Sequence, residues 1–242
     1  MEDKIIGYRH VNDVIDESLV KIEEIASGKL KPLVSSLSKE NEKLGGLFPG
    51  ELMTIAARTG MGKSARVVKL IQDYLNPNIN PHYVGKLIIM FDNWEMIDWR
   101  NMIRMYSSVA KMTVRELLDY ETRLTAEKLE MVATIAERFR GQPLYFNNMS
   151  NSVAKWEDNK NKIQKQFPEH TIVNIIDHTR LVTSKNERSE EQLITNFTKA
   201  MMRVKKECNQ ICIPLSQMNR NIESNTRGDD LGNKLPISSD KL

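Results

Sequence analysis

Five short apolar runs alternate with five longer amphipathic segments between residues 53 and 215, and this alternation constrains the fold more than any other feature of the chain. The runs at 53–57, 87–91, 144–146, 172–176 and 211–215 have strand length and are apolar at nearly every position, as strands covered on both faces must be. The intervening segments, 63–75, 97–109, 125–139, 153–167 and 190–208, repeat apolar residues at helical spacing. The last of them sets Leu193, Phe197, Met201, Val204 and Cys208 along one face and opens with Ser189-x-x-Gln192, which fits a capping box. Strand runs separated by helical segments predict an α/β domain: a mainly parallel sheet flanked by helices.

The two ends read differently. Residues 12–26 place Val14, Ile15, Leu19, Ile22 and Ile25 on one helical face behind Asn12 as the expected cap. Residues 27–32 and the polar run 35–43 read as a linker with little core of its own, which puts a boundary near residue 30: a linker helix over 1–30 and the α/β domain over 31–242. The Gly/Asn/Ser/Asp-rich stretch 219–242 reads as a loop. At 242 residues, 40% of them hydrophobic, the chain has material for a real core and is not a disordered tail. No run approaches the 18 or so uninterrupted apolar residues of a membrane span, and residues 1–9 lack the basic-then-apolar order of a signal peptide, so a soluble cytoplasmic protein with no membrane partner is expected. A net charge of +3, from 35 Lys and Arg against 32 Asp and Glu, argues neither for nor against nucleic acid. Cys208 and Cys212 form no CxxC pair and read as reduced structural thiols rather than zinc ligands.

One junction carries a sharper signal. Arg58-Thr59-Gly60-Met61-Gly62-Lys63-Ser64 follows the first apolar run and opens the first long helix. Glycines there let backbone N–H groups turn inward, and the helix N-terminus adds positive potential, so the segment suits a phosphate cradle. Lys63 would reach the terminal phosphates and the Ser64 hydroxyl would ligate Mg²⁺. The strict G-x-x-x-x-G-K-[ST] pattern requires Gly at position 57, where this chain has Ala57; the plain alternative is a glycine-rich turn before a lysine-bearing helix.

Such a cradle needs acidic partners to act on nucleotide. The run Thr171-Ile172-Val173-Asn174-Ile175-Ile176-Asp177 ends in a carboxylate at the carboxyl edge of the sheet, the Walker B layout, and Asp177 would hold the Mg²⁺ shell. Glu95, a few residues after run 87–91, could orient the attacking water, with Asp92 competing for that role on position alone. Gln217, at the end of run 211–215, could sense a γ-phosphate. Each also reads as an ordinary cap or loop residue.

Taken together these segments resemble the ATPase domain of the DnaB-like replicative DNA helicases, the RecA-like hexameric class. Leu44-Gly45-Gly46-Leu47-Phe48-Pro49-Gly50-Glu51-Leu52 with Ile55 to Ser64 looks like that family's first motif, in which alanine is common at the position of Ala57. Phe91-Asp92-Asn93-Trp94-Glu95-Met96 is similar to its F-S-L-E-M segment and implies Glu95 as the catalytic glutamate, while Arg104-Met105-Tyr106-Ser107-Ser108 continues the likeness. Pro143-Leu144-Tyr145-Phe146 matches its third strand, and Ile175-Ile176-Asp177 its Walker B strand. Ile213-Pro214-Leu215-Ser216-Gln217-Met218-Asn219-Arg220, with Glu223 and Arg227, looks like its A-L-S-Q-L-N-R motif. Where the family continues Tyr-Leu-Gln, this chain has His178-Thr179-Arg180.

The resemblance implies ATP and Mg²⁺ as ligands and an ATP-driven motor on single-stranded DNA in a bacterial or phage-infected cell. It also implies assembly into a ring, most simply a hexamer, with a primase or loader as a further partner. Lys185, Arg188, Arg220 and Arg227 are the candidate DNA contacts. Against the family pattern the expectation is a chain without the N-terminal domain, its helix 12–26 resembling the linker helix, and stopping before the arginine finger. The competing expectation is an ATP-binding regulatory or loader-like subunit that associates with a full-length helicase.

Overall fold

The computed structural model describes residues 8–58, 60–121, 123–148, 152–177, 190–217, 227–228 and 234–235. Five parallel strands form the central sheet: β1 Ile55–Ala57, β2 Leu87–Asn93, β3 Leu144–Asn147, β4 Thr171–Asp177 and β5 Ile211–Gln217, in the order β1-β5-β4-β2-β3. Eight helices are described: α1 Val11–Ala26, α2 Ser38–Leu44, α3 Lys63–Tyr74, α4 Asp98–Ala110, α5 Val114–Leu118, α6 Ala126–Phe139, α7 Val153–Gln166 and α8 Glu190–Glu207. Every expected strand and every expected long helix is present, with ends shifted by a few residues.

Two apolar layers sandwich the sheet. On one face, Val67, Leu70 and Ile71 of α3 and Met105 of α4 pack on Ile89, Phe91, Val173, Ile175 and Ile213. On the other, Trp156 of α7 and Phe197, Met201 and Val204 of α8 pack on Ile176 and Cys212. Successive strand residues therefore supply opposite layers, which is why the runs are apolar throughout rather than alternating. The polar exception inside β4, Asn174, donates to Gln210 Oε1 at 2.8 Å, so its amide is not left unpaired on that side.

Several local expectations require correction. Helix α1 begins at Val11, and its cap is His10, whose ring nitrogen accepts from the Asn12 N–H; Asn12 lies inside the first turn. Strand β1 opens at Ile55 rather than 53, although Met53 N still donates to Cys212 O at 3.0 Å. The runs 27–32 and 35–43, expected to have little core of their own, flank a buried anchor, and Ser35 itself is only 5% exposed. Leu33 is 1% exposed and bridges to Leu47, and residues 38–44 form α2. The segment is pinned by polar contacts: Ser36 N and Oγ both donate to Asp73 Oδ2 at 2.9 Å, Asn80 exchanges hydrogen bonds with the Val34 backbone, and Tyr83 donates to Lys31 O. Burial pushes the Tyr83 phenol up to about 12. Within 219–242, read as loop, Arg227–Gly228 (β6) and Lys234–Leu235 (β7) pair antiparallel. The expected cap of α8 at Ser189 lies outside the described residues.

Helix α1 buries none of its residues and leaves Val14, Ile15, Leu19, Ile22 and Ile25 exposed. Among the described residues no helix is long and apolar enough to cross a membrane.

Candidate active site

Because the five strands are parallel, the carboxyl ends of β1, β2, β4 and β5 lie along one edge of the sheet. Pairing sets their ends side by side: Ala57 is opposite Gln217, and Asn93 is opposite Asp177. A cavity of about 700 Å³ opens there, lined by Ala57, Arg58, Gly60, Gly62, Lys63, Ser64, Glu95 and Gln217. That size lies within the range of about 300–1,000 Å³ typical of small-ligand sites.

The turn after β1 is built by glycine conformation. Gly60 and Gly62 have φ of +83° and +84°, and Gly62 is the residue preceding α3. A Cβ at either would meet nothing within 4 Å, so what requires glycine is the left-handed backbone rather than space. The turn leaves the start of α3 facing the cavity, with the Lys63 and Ser64 side chains in its wall. Lys63 Nζ lies 3.5 Å from Asp177 Oδ1, with the two side chains 13% and 4% exposed. An ammonium this enclosed needs a counter-charge, and in this structure Asp177 supplies it.

The competition between Asp92 and Glu95 has a geometric answer. Asp92 is 1% exposed and turned toward α7, where it accepts from Asn147 Nδ2 at 2.8 Å, Trp156 Nε1 at 3.0 Å and Lys160 Nζ at 2.8 Å. Its carboxylate is committed on the far face of the sheet, whereas Glu95 lines the cavity. Alternation along β2 sends Asp92 one way and Asn93 the other.

Of the remaining sequence candidates, Met61 is 73% exposed and does not line the cavity. Thr59, Lys185, Arg188 and Arg220 lie outside the described residues, as do His178 and Arg180. Arg227 stands on β6, away from the five-stranded sheet's hydrogen-bonding. Two groups were not anticipated. Arg104, Ser107 and Ser108 of α4, with Lys111 and Met112 beyond it, form the outer wall; the only advance sign was their place in the family-like segment. The other is Asn93, whose amide holds the turn carrying Glu95; an Asn just before a turn is a recognisable signal of that role.

The donor set fits a nucleoside triphosphate with a hard divalent cation: a lysine and glycine-turn backbone for phosphate, and hydroxyl and carboxylate oxygens for the metal.

The sequence model of the DnaB-like helicase C-terminal domain matches residues 33–240 of this chain. The replicative DNA helicase DnaB of Leifsonia xyli subsp. xyli is 30% identical over 247 residues, covering 98% of this chain and 50% of that protein. That of Buchnera aphidicola subsp. Baizongia pistaciae is 24% identical over 239 residues, covering 97% and 48%. The chain thus spans about half the length of the curated relatives it matches. A solved DnaB-like replicative helicase, studied with its primase interactions, shares the fold with a TM-score of 0.73 at 20% identity, covering 94% of this chain and 52% of that one. A solved ATPase domain does so with a TM-score of 0.71 at 18% identity, covering 87% and 73%.

Proposed function

Since the chain belongs to the family of DnaB-like helicase C-terminal domains, we propose that it is the ATPase domain of a replicative DNA helicase, hydrolysing ATP to move along single-stranded DNA and part the duplex. The observation that carries this reading is Lys63, paired with the buried Asp177, in the wall of a cavity that Ser64, Glu95 and Gln217 also line. A lysine held by a carboxylate 3.5 Å away is poised to exchange that partner for phosphate oxygens.

In the proposed mechanism the backbone N–H groups of residues 58–62 and the Lys63 ammonium bind the phosphates. Ser64 and Asp177 are the residues that would hold Mg²⁺, which when bound neutralises charge on the phosphate oxygens. Glu95 orients the attacking water and accepts its proton, and Gln217 registers the γ-phosphate from the neighbouring strand. Catalysis here is mostly positioning and charge stabilisation, so the rigid sheet edge on which these residues stand is a suitable platform. Residues 1–30 act as a linker helix joining copies of the 31–242 domain in a ring. The exposed apolar face of α1 is in keeping with such docking. Lys185, Arg188, Arg220 and Arg227 contact the DNA backbone, a primase or loader binds the assembly, and the compartment is the cytoplasm.

The test is phosphate release by the purified chain with and without single-stranded DNA. Turnover stimulated by DNA and abolished in Lys63→Ala is the expected result. Tight nucleotide binding with no turnover under either condition contradicts the motor reading and favours a regulatory ATP-binding subunit.

A further inference from the structure

Strand β2 stops pairing with β4 at Asn93, opposite Asp177, and one last backbone bond, Trp94 N to Asp177 O at 3.0 Å, ties the chain to the sheet before it turns away. The next two backbone donors, Glu95 N and Met96 N, have left the ladder. Both donate to the side-chain Oδ1 of Asn93, at 3.1 and 3.0 Å. Asn93 is 2% exposed, and its Nδ2 donates to Oδ1 of Asn101 on α4 at 3.0 Å; Asn101 is also 2% exposed. Two backbone N–H groups facing one atom of Asn93 require that atom to be oxygen, which in turn requires nitrogen on the side facing Asn101. The amide therefore has one orientation, and Asn101 is held as an acceptor.

This arrangement joins the two walls of the cavity. Asn101 lies one turn before Arg104 and two before Ser108 on α4, whose later turns face Glu95 across the cavity. We propose that Asn93 is the positioning residue for Glu95, and that Asn101 orients it, so that the buried amide pair sets the placement of Glu95 relative to the α4 wall. The inference rests on the proposed role of Glu95 in hydrolysis and adds two residues that do not line the cavity. A side chain that accepts from two consecutive N–H groups fixes the backbone on which Glu95 stands, and misplacement of a catalytic group by about 1 Å costs on the order of a hundredfold in rate.

Asn93→Ala, Asn93→Asp and Asn101→Ala in the full chain test this by kcat and KM for ATP, alongside hydrogen exchange of residues 93–97. Asn93→Ala is expected to lower kcat by about tenfold to a hundredfold with KM within about twofold, and to speed exchange of the Glu95 and Met96 amides. Asn93→Asp keeps the acceptor and is expected to restore amide protection. Asn101→Ala is expected to give a smaller loss of kcat in the same direction. Unchanged exchange at Glu95 and Met96 in Asn93→Ala overturns the proposal, as does a rise in KM with kcat preserved. If Glu95→Gln turns over like the wild type, the catalytic reading of Glu95 fails instead, and amide protection alone then decides whether Asn93 holds the turn.

Discussion

At Gly62 the backbone takes φ of +84° immediately before the lysine of the cradle, a conformation that costs a residue with a Cβ about 1–2 kcal/mol. Gly62→Ala is therefore expected to weaken ATP binding about tenfold while leaving the sheet intact, since a relaxed φ turns the N–H groups away from the phosphates. Titration with a fluorescent ATP analogue measures it, and an unchanged affinity would mean that the turn is not read by the ligand. Residues of this kind were legible in the sequence, because a Gly-Lys-Ser at a strand-to-helix junction has a local chemical reason. So were Glu95, Asp177 and Gln217, by their place at strand ends. The choice between Asp92 and Glu95 was open on position alone and rested on the likeness of residues 91–96 to the family's segment; its physical reason lies in Trp156 and Lys160, more than 60 positions away, which commit Asp92 to the far layer.

The same distinction holds for elements. Strands β2, β4 and β5 announce themselves as short unbroken apolar runs, and helices α3, α4, α7 and α8 by the helical spacing of their apolar residues. The strap over residues 31–48 does not, because polar side chains hold it from 37 and 46 positions away: Asp73 takes both donors of Ser36, and Asn80 pairs with the Val34 backbone. Its tightest point is Gly46, where φ is +83° and a Cβ would stand 2.7 Å from Leu33 O and 2.8 Å from Pro32 Cβ. Gly45 shares the left-handed backbone at +71° but faces open space. Gly46→Ala is expected to cost about 3 kcal/mol in urea denaturation, against about 1 kcal/mol for Gly45→Ala, the excess being the clash. Equal losses at the two positions would show that the strap yields without strain.

For the molecule as a whole, parallel strands gather the chemistry along one sheet edge, while the two helical layers keep α3 and α4 on the cavity side and α7 and α8 on the other. The α/β class was legible, since apolar runs of strand length separated by amphipathic helices call for a mainly parallel sheet covered by helices. The near-neutral charge also gains meaning: in the proposed function DNA is met by a few loop residues repeated around a ring, not by a basic face. The central claim is a division of labour, with Lys63 and the glycine turn holding nucleotide and Glu95 driving its hydrolysis. Its most direct test measures ATP-analogue binding and phosphate release side by side in wild type and Glu95→Gln, with Mg²⁺ and single-stranded DNA present. Affinity within about threefold of wild type and turnover lower by about a hundredfold or more are the expected results. Turnover at the wild-type rate in Glu95→Gln, or affinity lost together with turnover, would contradict that claim.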